Sequence, residues 1–408
     1  MSEANAHFRI DVDAAVSLIN ERMPQYPAEN LSIGECQGAI LRQQVLAERD
    51  QPPFDRVTMD GIAIRSPSSA ADARPKYRVA GIQAAGAPAI KLGDSTNCVE
   101  IMTGAILPGD ADTVIPVERI RLEGDHAVLE PGYEPTPGQF IHRQSSDHGA
   151  GQPLLEPGIT LGPPEMAVLT IAGSASVEVA RWPSIAVIST GDELIDVGEP
   201  IEKFQIRSSN DRAITAALQK RGCARSERSH LLDDPEQLRT EISRLHQRHD
   251  VLILSGGVSM GKYDYVPQIM DELSIKLVFH KILQRPGLPM WFGISVDGKP
   301  VFALPGNPVS SLVCLARYVL PAIQKAMGAA ERRPAIVQLS TPVEFQPDLT
   351  YFLPVVLSYN NAGELHAIPK STNTSGDFVS LAGTDGIVEL KRGQDEFPAG
   401  YPAPFYRW

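Results

Sequence analysis

The sequence predicts a multidomain α/β protein: a parallel, doubly wound α/β domain at about residues 181–330, a β-rich region before it and a small β domain after it. Three observations carry this. Apolar strand-like runs alternate with helix patterns from Pro183 to about residue 330, the mark of βαβ units. Residues 51–139 and 331–408 hold only brief β-like runs broken by Gly and Pro. At roughly 150 residues per domain, 408 residues suffice for two to four cores.

Taken in order, Asp11 caps a first helix whose apolar face is Val12, Ala15, Val16 and Ile19, ending near Met23 and Pro24. A second helix is expected from Ile33 to Ala47, stopped by the prolines of QPPFDRVTMDGIAI. YRVAGIQAAG, NCVEIMTG, TVIPVE and AVLEPG read as strands, and PPEMAVLTIAG as a short helix after a proline start. Then IAVIST is a buried strand and SNDRAITAALQKRG a helix, with Ser209 or Asn210 as cap and Gly222 at its end. A short strand over Ser226 to Leu232, the helix DPEQLRTEISRLHQ and the apolar strand DVLILSGG follow. YVPQIMDEL is helical, KLVFHKIL, PMWFGIS and PVFALPG are strands, and NPVSSLVCLARYVLPAIQKAMG is a long final helix.

Composition excludes several classes. The chain is 43% hydrophobic and 21% charged, ordinary for a soluble protein. Lys+Arg 37 against Asp+Glu 49 gives a net charge of −12, which argues against a nucleic-acid or anionic-membrane partner. No run approaches the ~18 apolar residues of a membrane span. MSEANAHFRIDVD lacks the basic and apolar regions of a signal peptide. Cys36, Cys98, Cys223 and Cys314 are far apart with no CxxC, so a reducing compartment, the cytoplasm, is expected, without a zinc or disulfide framework. His246 and His249 lie three apart on a helix with no ligating partner in sequence, which suits a solvated face better than a metal.

In an open α/β sheet, ligands bind beyond the carboxyl ends of the strands. Three such ends carry unusual loops: IST-Gly191-Asp192-Glu193, LS-Gly256-Gly257-Val258-Ser259-Met260-Gly261 and ALP-Gly306-Asn307-Pro308. Glycines let a ligand approach main-chain N–H groups, and the second loop suits an anion nest. In the third, Gly306 makes the turn, Asn307 caps and Pro308 opens a helix whose positive end faces the site. Lys281 and Arg285 in KILQRPGLP suit phosphate or another oxyanion. Asp192, Glu193 and Asp264 beside a phosphate site suit Mg²⁺, although helix capping also explains Asp192 and Asp264. The residues alone imply an enzyme acting on a nucleotide or phosphate ligand.

The runs PPFDRVTMDGIAI, MTGAILPGDADTVIPVE, STGDELIDVGEPI, SGGVSMGKYDYV, RPGLP and LPGNPVSS, in that order, resemble the MoeA-type molybdopterin molybdenumtransferases, which include the E domain of gephyrin. The resemblance spans nearly the whole chain. It implies four regions: an elongated part from residues 1–50 and 140–180, a β-rich insertion at 51–139, a molybdopterin-binding α/β domain at 181–330 and a C-terminal β domain at 331–408. It implies a homodimer that inserts molybdate into adenylylated molybdopterin, with Mg²⁺ and release of AMP. A molybdopterin adenylyltransferase and client molybdoenzymes are the further partners it implies.

The resemblance also assigns residues. Asp60 in MDG and Thr103 in MTGA match active-site positions in the insertion, which implies that they face the α/β site of the other subunit. Asp147 matches a further acidic position. Glu193, Asp233 and Asp264 match the acidic residues of the pterin site, and Lys281 and Arg285 its basic positions. Gly191, Asp192, Gly256, Gly257, Ser259, Gly306, Asn307 and Pro308 then hold phosphate or pterin, and Glu193 and Asp264 act with Mg²⁺ or as acids. The chain departs from the family pattern at Leu288, where the loop usually reads KPGKP, at Ile62, usually aromatic, and at Leu353 and Pro354, where an Arg usually follows Phe. These departures give the expectations of insertion two competitors: a cofactor binding and delivery protein without insertion activity, and a different nucleotide-dependent reaction on the same scaffold.

Overall fold

A computed structural model of the chain describes residues 7–67, 74–223, 225–257 and 265–408. They form two compact units, one of Met1–Gln43, Pro157–Gly162 and Ser176–Trp408, the other of Gln44–Glu156 and Pro163–Ala175.

The first unit is built on a seven-stranded sheet in the order His7–Ile10, Lys276–Ile282, Trp291–Ile294, Pro300–Leu304, Val251–Ser255, Ile185–Thr190 and Ser226–Leu231. Its central strands are apolar on both faces because helices cover both. Ile185 and Val187 join one core cluster with Ile214, Val309 and Val313, whereas Ala186 and Ile188 join the other with Leu238, Ile242 and Ile269. Val251 and Ile253 divide from Leu252 and Leu254 in the same way. Burying each Ile, Leu or Phe contributes about 1.5–3 kcal/mol. The sheet is mixed rather than wholly parallel, because Trp291–Ile294 runs antiparallel to both its neighbours. The five residues between it and Pro300 form a tight connection, too short for a crossover helix. His7–Ile10 adds an edge strand in parallel to Lys276–Ile282, which the sequence reading missed.

The helices follow sequence expectation with two exceptions. Asp11 caps Val12–Arg22 by accepting the Ala14 N–H at 2.8 Å. The final helix runs as Pro308–Cys314, a π-helical turn Leu315–Val319, and Leu320–Ala326. The helix expected from Ile33 to Ala47 is not formed. Its apolar residues are bound to neighbouring segments: the N–H groups of Gly38 and Leu41 donate to the carbonyls of Leu161 and Ile159 at 2.8 and 2.9 Å. The helix carrying His246 and His249 is not solvated there either, since His249 is buried with Nε2 3.0 Å from Glu227 Oε2.

The same unit ends in a closed five-stranded barrel of Thr350–Tyr359, Leu365–Pro369, Ala335–Leu339, Pro402–Arg407 and Gly386–Leu390, the last pairing back to the first. The short strand Gln284–Arg285 joins its edge at Thr350 and Tyr351. The second unit holds a six-stranded sheet in the order Thr113–Pro116, Gly61–Ile64, Asn97–Ile101, Lys76–Gln83, His126–Leu129 and Ile120–Glu123. All four free cysteines are buried.

Candidate active site

A cavity of about 650 Å³ opens beyond the carboxyl ends of Ile185–Thr190, Val251–Ser255 and Pro300–Leu304. A polar brace locks the surrounding loops together. Asn210, at the start of Asn210–Gln219, donates Nδ2 to Ser255 Oγ at 2.8 Å and to the Gly306 carbonyl at 2.7 Å. Ser255 Oγ lies 3.2 Å from Ser311 Oγ, which donates to the Pro305 carbonyl at 2.7 Å. Two buried atoms among the cavity residues, Thr190 Oγ1 and Asn210 Oδ1, have no hydrogen-bond partner among the described residues. Such orphans in a native fold point to a ligand or water.

The glycines of the loop after Ser255 are demanded by geometry. Gly256 has φ +98°, and a Cβ there would stand 2.8 Å from the Thr190 carbonyl oxygen. Gly257 has φ +67°, and a Cβ would meet Val266 Cγ2 at 2.5 Å. Gly306 is different: its Cβ would make an ordinary 3.6 Å contact with Gly256 Cα. Pro308 does open the helix, but Asn307 makes no side-chain capping bond. It donates Nδ2 to Ser375 Oγ at 2.7 Å instead, and the Ser375 carbonyl accepts the Val309 N–H at 3.1 Å. That tie brings Gly376 of the C-terminal region into the cavity lining.

The cavity lining is also acidic. Glu193 folds back over Gly191, where a Cβ would lie 2.5 Å from Glu193 Oε2. Asp192 Oδ1 accepts the Asp233 N–H at 2.9 Å. Burial first, then the charges of Asp192 and Glu193, raise the Asp233 carboxyl above its ordinary value. Among the described residues no group of three or more His, Cys, Asp or Glu side chains forms a closed metal site. Mg²⁺ needs none, since it usually takes one or two carboxylates and completes its shell with substrate phosphates and water. The mutual repulsion of Glu193 and Asp233 in the cavity wall fits such an ion. Ser259 and Asp264 lie outside the described residues.

Other candidate positions fall elsewhere. Lys281 adopts φ +72° and donates its N–H to the Met290 carbonyl at 3.0 Å. Arg285 is exposed beside the barrel edge. Neither lines the cavity, but Pro289 of the same loop does. The underside of that loop is held by a buried cluster. Gln284 accepts from Tyr318 Oη and donates Nε2 to the Pro286 carbonyl at 3.0 Å, while Cys314 Sγ lies 3.6 Å from the Gly287 carbonyl.

In the second unit, Asp60 Oδ1 accepts the Thr103 N–H at 2.6 Å, and the Thr103 N–H and hydroxyl hold the Asp60 carboxyl below its ordinary value. Arg56 Nη2 donates to His142 Nδ1 at 3.1 Å, so His142 donates Nε2–H to Asp147 Oδ1 at 2.9 Å. Ile62 is 0% exposed in the core of the insertion sheet, and Leu353 is 3% exposed in the barrel core. Packing accounts for both apolar residues.

Comparison with known proteins gives the family. Residues 10–173 match the "MoeA N-terminal region (domain I and II)", 186–325 the "Probable molybdopterin binding domain" and 337–408 the "MoeA C-terminal region (domain IV)". The chain belongs to the MoeA family. A molybdopterin molybdenumtransferase of Synechocystis sp. is 39% identical over 98% of this chain and 100% of its own length. One of Staphylococcus aureus is 32% identical over 96% and 94%. A molybdopterin biosynthesis MoeA crystal structure from Pyrococcus superposes with a TM-score of 0.80 at 28% identity, covering 98% of this chain and 99% of that one. Membership places the chain among the transferases of molybdenum cofactor biosynthesis.

Within this MoeA-family fold, the cavity gathers Gly191, Glu193, Asp233, Gly256, Gly257, Gly306, Asn307 and Pro308 from the residues singled out in sequence. Sequence reasoning missed Thr190, Arg207, Ser208 and Gly376 in the lining and took Asn210 only for a cap. Of these, Asn210 and Arg207 carried a usable signal, polar side chains just before a helix that follows a strand-end loop.

Proposed function

We propose that this transferase inserts molybdate into adenylylated molybdopterin and releases AMP. The observation that supports it is one cavity whose lining gathers glycine-opened main chain, two helix starts and the carboxylates Glu193 and Asp233. The loops at Gly256–Gly257 and Asn307–Pro308 hold the phosphate and pterin, oriented by the Asn210 brace. Glu193, with Asp264, holds and delivers the proton that assists loss of an oxo group from molybdate. Lys281 and Arg285, outside the lining, attract the oxyanions by their charge. Alternatively, the same two carboxylates in their ionised form would hold Mg²⁺, which would supply Lewis-acid polarisation. In this reading the protein is a cytoplasmic homodimer in which Asp60 and Thr103 serve the site of the other subunit and Asp147 keeps His142 in place. It accepts substrate from a molybdopterin adenylyltransferase and passes product to client molybdoenzymes.

The test is AMP release by the purified protein given adenylylated molybdopterin, Mg²⁺ and molybdate. Release that depends on molybdate is expected. Tight pterin binding with no release would leave a delivery protein.

A further inference from the structure

Resting on that reading, we infer that Arg207 is the cavity's anion-gripping cation, bound to a tetrahedral oxyanion of the substrate. Among the described residues that line the cavity, Arg207 is the single Lys or Arg, and the same lining carries Glu193 and Asp233. An anionic substrate entering an acidic cavity needs a cation there, and Lys281 and Arg285 do not line it.

The guanidinium is held in place without being neutralised. Nη1 donates to the carbonyls of Asp196 and Glu199 at 2.6 and 2.8 Å, in the loop that joins Leu194–Ile195 to Ile206–Arg207. Those two bonds use the two Nη1 protons. Nη2 and Nε keep three donors, and no carboxylate stands within ion-pair distance of Arg207 among the described residues. The neighbouring arginines differ. Arg212 Nη2 pairs with Asp196 Oδ1 at 2.5 Å and Arg228 Nη2 with Asp211 Oδ2 at 2.6 Å. Fixing a guanidinium through neutral carbonyls preserves its charge and presents its remaining fork to a ligand, the arrangement that suits bidentate binding of phosphate-like oxyanions. The oxyanion is either the phosphate of the adenylylated pterin or molybdate itself, since both offer tetrahedrally placed acceptors.

The experiment is calorimetric titration of the whole protein with AMP, with adenosine and with molybdate, for wild type, Arg207→Gln, Arg207→Lys and the exposed control Lys203→Gln. Matched thermal midpoints establish folding. Loss of one charge-assisted contact should weaken binding about 10- to 100-fold. If phosphate is the partner, Arg207→Gln weakens AMP by that factor, leaves adenosine and molybdate unchanged, and Arg207→Lys is intermediate. If molybdate is the partner, its binding weakens and AMP is unaffected. Lys203→Gln should match wild type in both cases. Equal affinities of wild type and Arg207→Gln for AMP and for molybdate overturn the role of Arg207 alone. A wild-type protein that binds neither overturns both this inference and the proposed reaction.

Discussion

Asp192 Oδ1 accepts the main-chain N–H of Asp233 at 2.9 Å, and this bond seats the Asp233 carboxyl near the charges of Asp192 and Glu193. The structure therefore keeps a poorly tolerated negative charge in its cavity wall. Binding sites commonly accept such local strain, because a cation or a proton arriving with the substrate relieves it.

Asp233→Asn should therefore raise the thermal midpoint at pH 7. The sign follows from the raised proton affinity of the folded state. A carboxyl whose folded value lies above its unfolded value destabilises the fold once both states are ionised, and not at all when both are protonated. The gain should shrink as the pH falls through the raised folded value towards the ordinary value of 3.8. Calorimetric scans of both proteins across that range check it. A variant less stable than wild type at pH 7 would show that hydrogen bonding of the carboxylate outweighs the repulsion.

Gly257→Ala should destabilise the fold by about 1–3 kcal/mol, because φ +67° is costly for a β-carbon and Val266 Cγ2 stands 2.5 Å from its place. Urea unfolding gives the stability, and AMP titration should show weakened binding as the loop shifts. Gly306→Ala, with only a 3.6 Å contact to accommodate, should be milder in both measurements.

The contrast between Gly257 and Gly306 marks how far the sequence could be read. The strand-end loops were legible because continuous apolar runs such as IAVIST and VLILS must be covered on both faces, and glycines following them announce a turn near a ligand. The core helices were legible from period and caps. The segment 33–47 was not. Cys36, Ile40 and Leu41 have helix-compatible spacing, but the main chain of Ile40 and Leu41 is claimed by segments more than a hundred residues away. The antiparallel strand Trp291–Ile294 looks apolar like its neighbours, and only the short connection after it betrays its direction. Within the site, Glu193 and the glycines stood out by type. Thr190 and Ser208 are common residues whose importance comes from where the fold puts them.

Tyr318→Phe should cost about 1–3 kcal/mol, because it strands the buried Gln284 Oε1 without its donor. Gln284 also donates to Pro286, so the RPGLP loop should loosen and the KM for molybdate should rise more than kcat falls. Denaturant unfolding and steady-state kinetics check the two halves. Unchanged kinetics with lowered stability would confine this cluster to a packing role.

His246 is half-buried, and burial, opposed by Asp297, lowers its proton affinity below the ordinary value of 6.5. The unfolded chain binds the proton more readily, so stability is complete above that value and declines as the pH falls below it. His246→Gln should flatten this decline between pH 7 and pH 5, as thermal midpoints at several pH values would show. An identical slope in the variant would assign the acid sensitivity to other groups.

If the cavity between Glu193 and the Gly256–Gly257 loop carries the transferase chemistry, removing the Glu193 carboxyl must stop turnover. The most direct test is molybdate-dependent AMP release by wild type and by Glu193→Gln, under single-turnover conditions with adenylylated molybdopterin and Mg²⁺. Release by wild type is expected, with its near-complete loss in the variant and a thermal midpoint no lower than that of wild type. Normal release by Glu193→Gln would contradict that role of the cavity.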